Sequence, residues 1–233
     1  MKSLVVILIA FTIGNINAQT TAGGGDLTAS GVAGSIIGNA NPSNGFIIIN
    51  PAKRRVDGSN YLFDSWDNFC EIVTVENERF GVRNVNLNIK RNTVEAKYAG
   101  DSIFVFNFNN IKKFIINGET FKNYYWDDDN RLYNVIHESE DFALIKGYKI
   151  TEVEASANPM LNRSFDRLIK KTFYYLKTKE GIKPIVLNKR KVLNFISEDE
   201  DIKNNVEEYA RHNRLSYKNE EDLKKILDYS AKN

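Results

Sequence analysis

The chain is short of cysteine, of histidine and of net charge, and each shortage excludes a class of chemistry. A single cysteine, Cys70, stands among 233 residues, so an intrachain disulfide is excluded. Stability must come from packing, and a chain of this size buries roughly 70% of its extended surface. Cys70 itself sits in Asp67-Asn68-Phe69-Cys70-Glu71-Ile72-Val73 and is expected as a small buried hydrophobe. Only two histidines occur, His137 and His212. Nucleophilic catalysis needs a base beside its nucleophile, and zinc needs three or four ligands at characteristic spacing. Neither histidine has such company. His137-Glu138 with Glu140-Asp141 reads as a polar turn, and no Gly-x-Ser-x-Gly elbow is present.

Charge is nearly balanced, at 32 basic against 30 acidic residues. That argues against a nucleic-acid partner or a polybasic membrane surface. The basic runs Arg54-Arg55, Lys112-Lys113, Lys170-Lys171 and Lys189-Arg190-Lys191 are interleaved with acids and read as solvated strand ends. No phosphate loop is recognisable either. Gly31-Val32-Ala33-Gly34-Ser35-Ile36-Ile37-Gly38 lacks the Gly-Lys-Ser/Thr ending, and no strand precedes it.

What is present begins with a leader. Lys2 supplies a positive start, Leu4 to Ile13 an apolar run, Gly14-Asn15 a break and Ala18 a small residue before Gln19. Residues 1–18 are therefore predicted to be a cleavable signal peptide. The apolar run falls well short of the ~20 residues a membrane-spanning helix needs, and no other stretch is long enough. The remaining chain is expected to be exported and to lack a transmembrane span. Residues 19–45 hold seven of the fourteen glycines and read as a flexible Gly-rich linker.

From residue 46 the pattern is that of strands. Phe46 to Ile49 is a short apolar run. Glu71 to Val75, Val85 to Ile89 and Val94 to Tyr98 alternate apolar with polar residues. Asn117-Gly118 is a hairpin signal, and Glu180-Gly181 turns the last pair of strands. Ser102 to Phe108 and Phe142 to Ile150 are apolar on both faces, which predicts central, doubly covered strands. The expected fold is α+β, mainly β: an antiparallel sheet, sandwich or open barrel of about ten strands with two C-terminal helices. Ser197 with Glu200 forms a capping box for the first helix, and Glu198 to Asp201 favour its N-terminal end. Asn219 starts the second, with Leu223, Ile226 and Leu227 as its apolar stripe. Residues 46–233 are expected as a single β-rich domain ending in this helical pair, 197–233.

Two features stand out as binding candidates. Asp127-Asp128-Asp129 places three carboxylates in a row, which a calcium ion could hold; the spacing is not that of an EF-hand, and a solvated hairpin tip explains it as well. Aromatic residues are the other. Tyr61 and Trp66, within Tyr61-Leu62-Phe63-Asp64-Ser65-Trp66, read as a loop plugging the end of the sheet, and Tyr124 and Trp126 lie on a strand. These four are the candidate binding surface, against the simpler reading of cross-strand aromatic pairs. No catalytic residue, metal ligand set or cofactor site is otherwise expected.

Three segments carry a family resemblance: Gly58-Ser59-Asn60-Tyr61-Leu62-Phe63-Asp64-Ser65-Trp66, Asn109-Asn110-Ile111-Lys112-Lys113-Phe114, and Asn213-Arg214-Leu215-Ser216-Tyr217-Lys218-Asn219-Glu220-Glu221-Asp222-Leu223. Over residues 55–230 the chain resembles an uncharacterised exported protein family of Bacteroidota. The resemblance implies a Gram-negative envelope location, periplasmic or outer-membrane-associated, and no activity, so no residue roles are carried over. The helical C-terminus does not resemble the β-sandwich sorting domain of such bacteria, which favours the periplasm. The function expected is a non-enzymatic cell-envelope protein that binds another macromolecule, an envelope protein for example, through its sheet surface or C-terminal helices. Two alternatives stand beside it: a periplasmic carrier of an apolar ligand, whose cavity would be lined by Phe104, Phe106 and Phe108, and an envelope glycan or peptide hydrolase.

Overall fold

Alternating apolar and polar residues separated by residues that tolerate positive φ build a run of hairpins. In a computed structural model the described residues are 45–49, 56–98, 102–126, 128–156, 158, 160 and 165–232. The predicted leader and nearly all of the Gly-rich linker lie outside them. Thirteen strands are described: β1 (Gly45–Ile49), β2 (Val56–Asp57), β3 (Phe69–Thr74), β4 (Arg79–Arg83), β5 (Val85–Asn88), β6 (Thr93–Lys97) and β7 (Ser102–Phe106). They continue with β8 (Ile111–Ile116), β9 (Glu119–Trp126), β10 (Asp129–Glu138), β11 (Ala143–Val153), β12 (Asp166–Thr178) and β13 (Gly181–Ile185). Three helices follow: α1 (Lys189–Ile196), α2 (Glu200–His212) and α3 (Glu220–Ser230).

The strands divide into two sheets. The larger runs β13-β12-β11-β10-β9-β8-β3-β4 with β2 added parallel to β12; the smaller runs β1-β7-β6-β5. After the β3–β4 hairpin the chain leaves for the small sheet, then returns at β8 beside β3 and meanders to β13. The structure is mainly β and open, as expected. The Asn117-Gly118 turn has φ of 51° and 84°, the pair of positive values a tight type I′ hairpin demands.

One face of the large sheet is covered twice. The small sheet packs over one end, burying Cys70, Ile72, Phe114, Phe121 and Leu132 against Val85, Leu87, Val94, Phe104 and Phe106. The helices pack over the other, with Leu187, Val192, Leu223 and Leu227 against Ile136 and Leu144. Between these apolar clusters, Lys146 of β11 pairs with Glu220 of α3 at 2.7 Å, and the Tyr174 hydroxyl donates to the same carboxylate at 2.6 Å. His137 Nδ1 lies 3.1 Å from Asp228 of α3.

Three C-terminal helices stand among the described residues where two were expected. The run Lys189-Arg190-Lys191 opens α1, whose Asn188 cap accepts from the Lys191 N–H, and Val192 and Leu193 face inward. Consequently Ser197 ends α1: its N–H is committed to the Leu193 carbonyl. The N-cap of α2 is Asp199, accepting from the Asp201 N–H, and not Ser197. Asn219 caps α3 as expected. Cys70 is buried, and burial pushes its thiol up to about 12. In β7, Ile103 to Phe106 are buried on both faces, whereas β11 is so only from Ala143 to Ile145.

Candidate binding face and cleft

Side chains along a strand alternate between faces, so the register shows what lies on the side of the large sheet away from the helices. Tyr124 and Trp126 of β9, Arg131 and Tyr133 of β10, Gly147 and Lys149 of β11, and Lys171, Phe173 and Tyr175 of β12 share it. Three of the rings, Tyr124, Tyr133 and Tyr175, form a connected shelf. Tyr133 lies 6.2 Å from Tyr124 and 5.5 Å, edge to face, from Tyr175. Gly147 makes room for it, since a Cβ there would stand 3.0 Å from the Tyr175 ring and 3.1 Å from the Tyr133 ring. Trp126 and Phe173 are 45% and 41% exposed, too open to belong to a core.

Cations outnumber acids on this face. Glu138 is taken by Lys122 and by the Tyr124 hydroxyl at 3.4 Å. Burial raises its pKa and the Lys122 bond outweighs that, leaving it below the usual carboxylate range. Asp129 is taken by Arg131. The Lys177 ammonium lies 5.1 Å from the Tyr124 ring, a cation–π distance. Lys149 and Lys171 are directly opposite in register, and their same-face neighbours Gly147, Thr151, Ile169 and Phe173 include no acid. Like charges directly opposite destabilise a strand pair, so this pair is poised for an anion.

The face is split by a cleft. β10 and β11 pair only between Asn134–Glu138 and Ala143–Lys146; beyond that they separate, and the β5–β6 hairpin tip fits into the gap. There Asn92, at φ 57°, behaves like a peptide unit of a missing strand. Its amide donates to the Asn130 carbonyl at 2.8 Å and accepts from the Leu132 N–H at 2.9 Å, completing the edge of β10. On the other bank Lys90 pairs with Glu152. The resulting cleft has a volume of about 540 Å³ with Arg91, Asn92, Arg131, Tyr148 and Lys149 among its walls. A recess of about 240 Å³ shares Asn92, Arg131, Tyr148 and Lys149 and reaches Tyr133, Phe173 and Tyr175. Burial is the main cause that raises the Tyr148 hydroxyl far above its ordinary value, so it stays a neutral donor.

A buried carboxylate anchors the wedge. Glu95 of β6, wholly buried, accepts from the Arg91 guanidinium at 2.8 and 2.9 Å, the Tyr61 hydroxyl at 2.9 Å and the Thr93 hydroxyl at 2.7 Å. Burial, then the Glu95 charge, pushes the Tyr61 hydroxyl up to about 12.

The four aromatic residues singled out from sequence are not brought together. Tyr124 belongs to the shelf, and Trp126, on the same face of β9, lies over Gly181. Tyr61 and Trp66 meet edge to face at 4.7 Å on the outer side of the small sheet, where Lys97 lies 5.2 Å from the Trp66 ring. Their loop is held by Asn86, whose amide donates to the Phe63 and Ser65 carbonyls at 2.8 and 3.1 Å. Of the three carboxylates, Asp127 lies outside the described residues, Asp128 at φ 56° accepts from the Tyr125 hydroxyl at 2.8 Å, and Asp129 pairs with Arg131. No group of three metal-ligating side chains occurs among the described residues. His137 stands eight residues along β10 from Asp129, roughly 25 Å at strand rise, and faces the helices. Sequence reasoning missed Asn92, Arg131, Lys149 and Lys171. The doublet Lys170-Lys171 was the available signal, but its meaning rests on a cross-strand register that sequence does not carry.

No helix among the described residues is long and apolar enough to cross a membrane. No protein-family model matches the chain, and neither a curated protein nor a solved structure matches it.

Proposed function

We propose that this chain is an exported, non-enzymatic envelope protein that binds another macromolecule through the helix-free face of its large sheet. The observation that carries the reading is Lys149 opposite Lys171, without an acid beside them, next to the half-open Phe173 ring. Such a pair is unfavourable in the free protein and favourable once an anionic surface covers it. Tyr133 and Tyr175, already packed against each other over Gly147, lose little side-chain entropy on binding. Arg and aromatic residues are also the types enriched where interfaces hold tightly. The partner is therefore one with acidic groups flanking apolar ones.

Native mass spectrometry of the chain purified gently from its host envelope tests this. The expected spectrum carries the added mass of a second macromolecule, and Lys149→Glu combined with Lys171→Glu removes it. A bare chain, or a complex indifferent to both substitutions, refutes the reading.

A second reading, carriage of an apolar ligand, has one observation in its favour. Where β13 parts from β12, Phe173, Pro184, Ile185, Val186 and Leu187 line a groove of about 530 Å³. Against it, the rings named for such a cavity are packed on the core: Phe106 lies 4.9 Å from Phe104 and 6.0 Å from Phe114, and Phe108 lies 5.9 Å from Phe114. Added mass of a few hundred daltons in the same spectrum would favour the carrier.

A further inference from the structure

The geometry points to strand addition: an extended, acidic peptide segment of a partner protein pairs with the open edge of β11 in the cleft. This deepens the binding-face reading and rests on it. β11 runs to Val153, and its register with β12 is unbroken from Ala143 to that end. On its other side, β10 pairs it only as far as Lys146. From Gly147 to Val153, no strand or loop among the described residues pairs with that edge.

The two banks differ. On β10 the Asn92 amide already occupies the Asn130 carbonyl and the Leu132 N–H. Among the described residues the β11 bank has no such substitute, and an unpaired strand edge is a template for another chain. Seven residues of edge span about 23 Å at strand rise. The hairpin tip keeps the space open, because Lys90 is tied to Glu152 and Arg91 to buried Glu95.

Side-chain specificity follows from alternation. An added strand sends every second side chain toward the free face, where Lys149 and Lys171 border the aromatic shelf. Those positions suit Asp or Glu interspersed with an aromatic residue. The cleft's own acids, Asp129 and Glu152, are committed to Arg131 and Lys90 and do not oppose such a peptide.

The test uses the full chain and a displayed library of random ten-residue peptides. Enriched peptides should carry acids at alternating positions. N-methylation of alternate peptide nitrogens in one phase should weaken binding at least tenfold, and methylation in the other phase should leave it unchanged. In hydrogen exchange, amides of Gly147–Val153 should include a fast-exchanging subset that slows at least tenfold with peptide bound. Peptides that tolerate methylation in both phases, or amides already all protected in the free chain, overturn strand addition. If no peptide is enriched while the native complex persists and still depends on Lys149 and Lys171, strand addition is overturned and the face reading stands. Loss of that dependence overturns both.

Discussion

Arg91→Ala should destabilise the chain by about 3 kcal/mol, more than Glu95→Gln does, although the two residues form one ion pair. The asymmetry comes from solvent. The Glu95 carboxylate is wholly buried, whereas the Arg91 side chain is 36% exposed. Removing Arg91 leaves a charge in the protein interior with only the Tyr61 and Thr93 hydroxyls to hold it, and breaking a buried pair in this way costs about 3–5 kcal/mol. Water entering where the guanidinium stood places the effect at the lower end. Glu95→Gln removes the buried charge, while Arg91 turns to solvent, so roughly 1–2 kcal/mol is lost with the hydrogen bonds. The double variant should resemble Glu95→Gln alone, giving a coupling of about 3 kcal/mol, the whole of the Arg91→Ala effect. Either figure is a large share of the about 5–15 kcal/mol that holds a domain together. Urea unfolding followed by tryptophan fluorescence measures it, with Trp66 packed on Tyr61 as a local reporter. Additive effects, or an Arg91→Ala loss no greater than that of Glu95→Gln, would refute the account of how the wedge is anchored.

Asn92→Ala should cost about 2–3 kcal/mol, from two lost backbone bonds and a left-handed φ without its tolerant side chain; Asn92→Gly should cost less, and both should speed exchange of the Leu132 amide. Glu220 has its pKa raised by burial and lowered further than that by the Lys146 and Tyr174 bonds, so the net shift is downward. Its contribution is thus complete above the unfolded value of about 4.3 and fades as pH falls through the lower folded value. Glu220→Gln should therefore cost about 1.5–3 kcal/mol at pH 7, and its difference from the parent protein should shrink below about pH 4; a difference that stays constant or grows as pH falls would refute this linkage. Gly181 has φ +136°, and an added Cβ would fall 2.0 Å from the Trp126 ring. Gly181→Ala should cost about 1–3 kcal/mol and expel that ring toward water, read as a red shift in its emission.

Much of the succession of strands along the chain was legible because period-two alternation and turn residues are local. Val85-Asn86-Leu87, Asn117-Gly118 and Glu180-Gly181 need no partner to be read. The shortcomings have physical causes. α1 was missed because eight residues give barely two turns of periodicity, and its basic opening looks like a solvated strand end. The cap of α2 shifted from Ser197 to Asp199 because Ser197 was already ending the helix before it. β12 runs to thirteen residues, longer than the apolar stretch Thr172 to Leu176, because its polar half is held in register by β11 and not by its own hydrophobicity.

From sequence alone came the β-rich class with a helical C-terminus and most hairpins, all set by neighbours within a few positions. Only the tertiary structure decided that the strands divide into two sheets, that Tyr61 and Trp66 lie apart from Tyr124 and Trp126, and that β10 parts from β11. The same holds for Lys149 opposite Lys171 and for Asn92 completing an edge 38 residues away. Those pairings join distant positions, and a contact between them follows from register and packing, which no local pattern encodes.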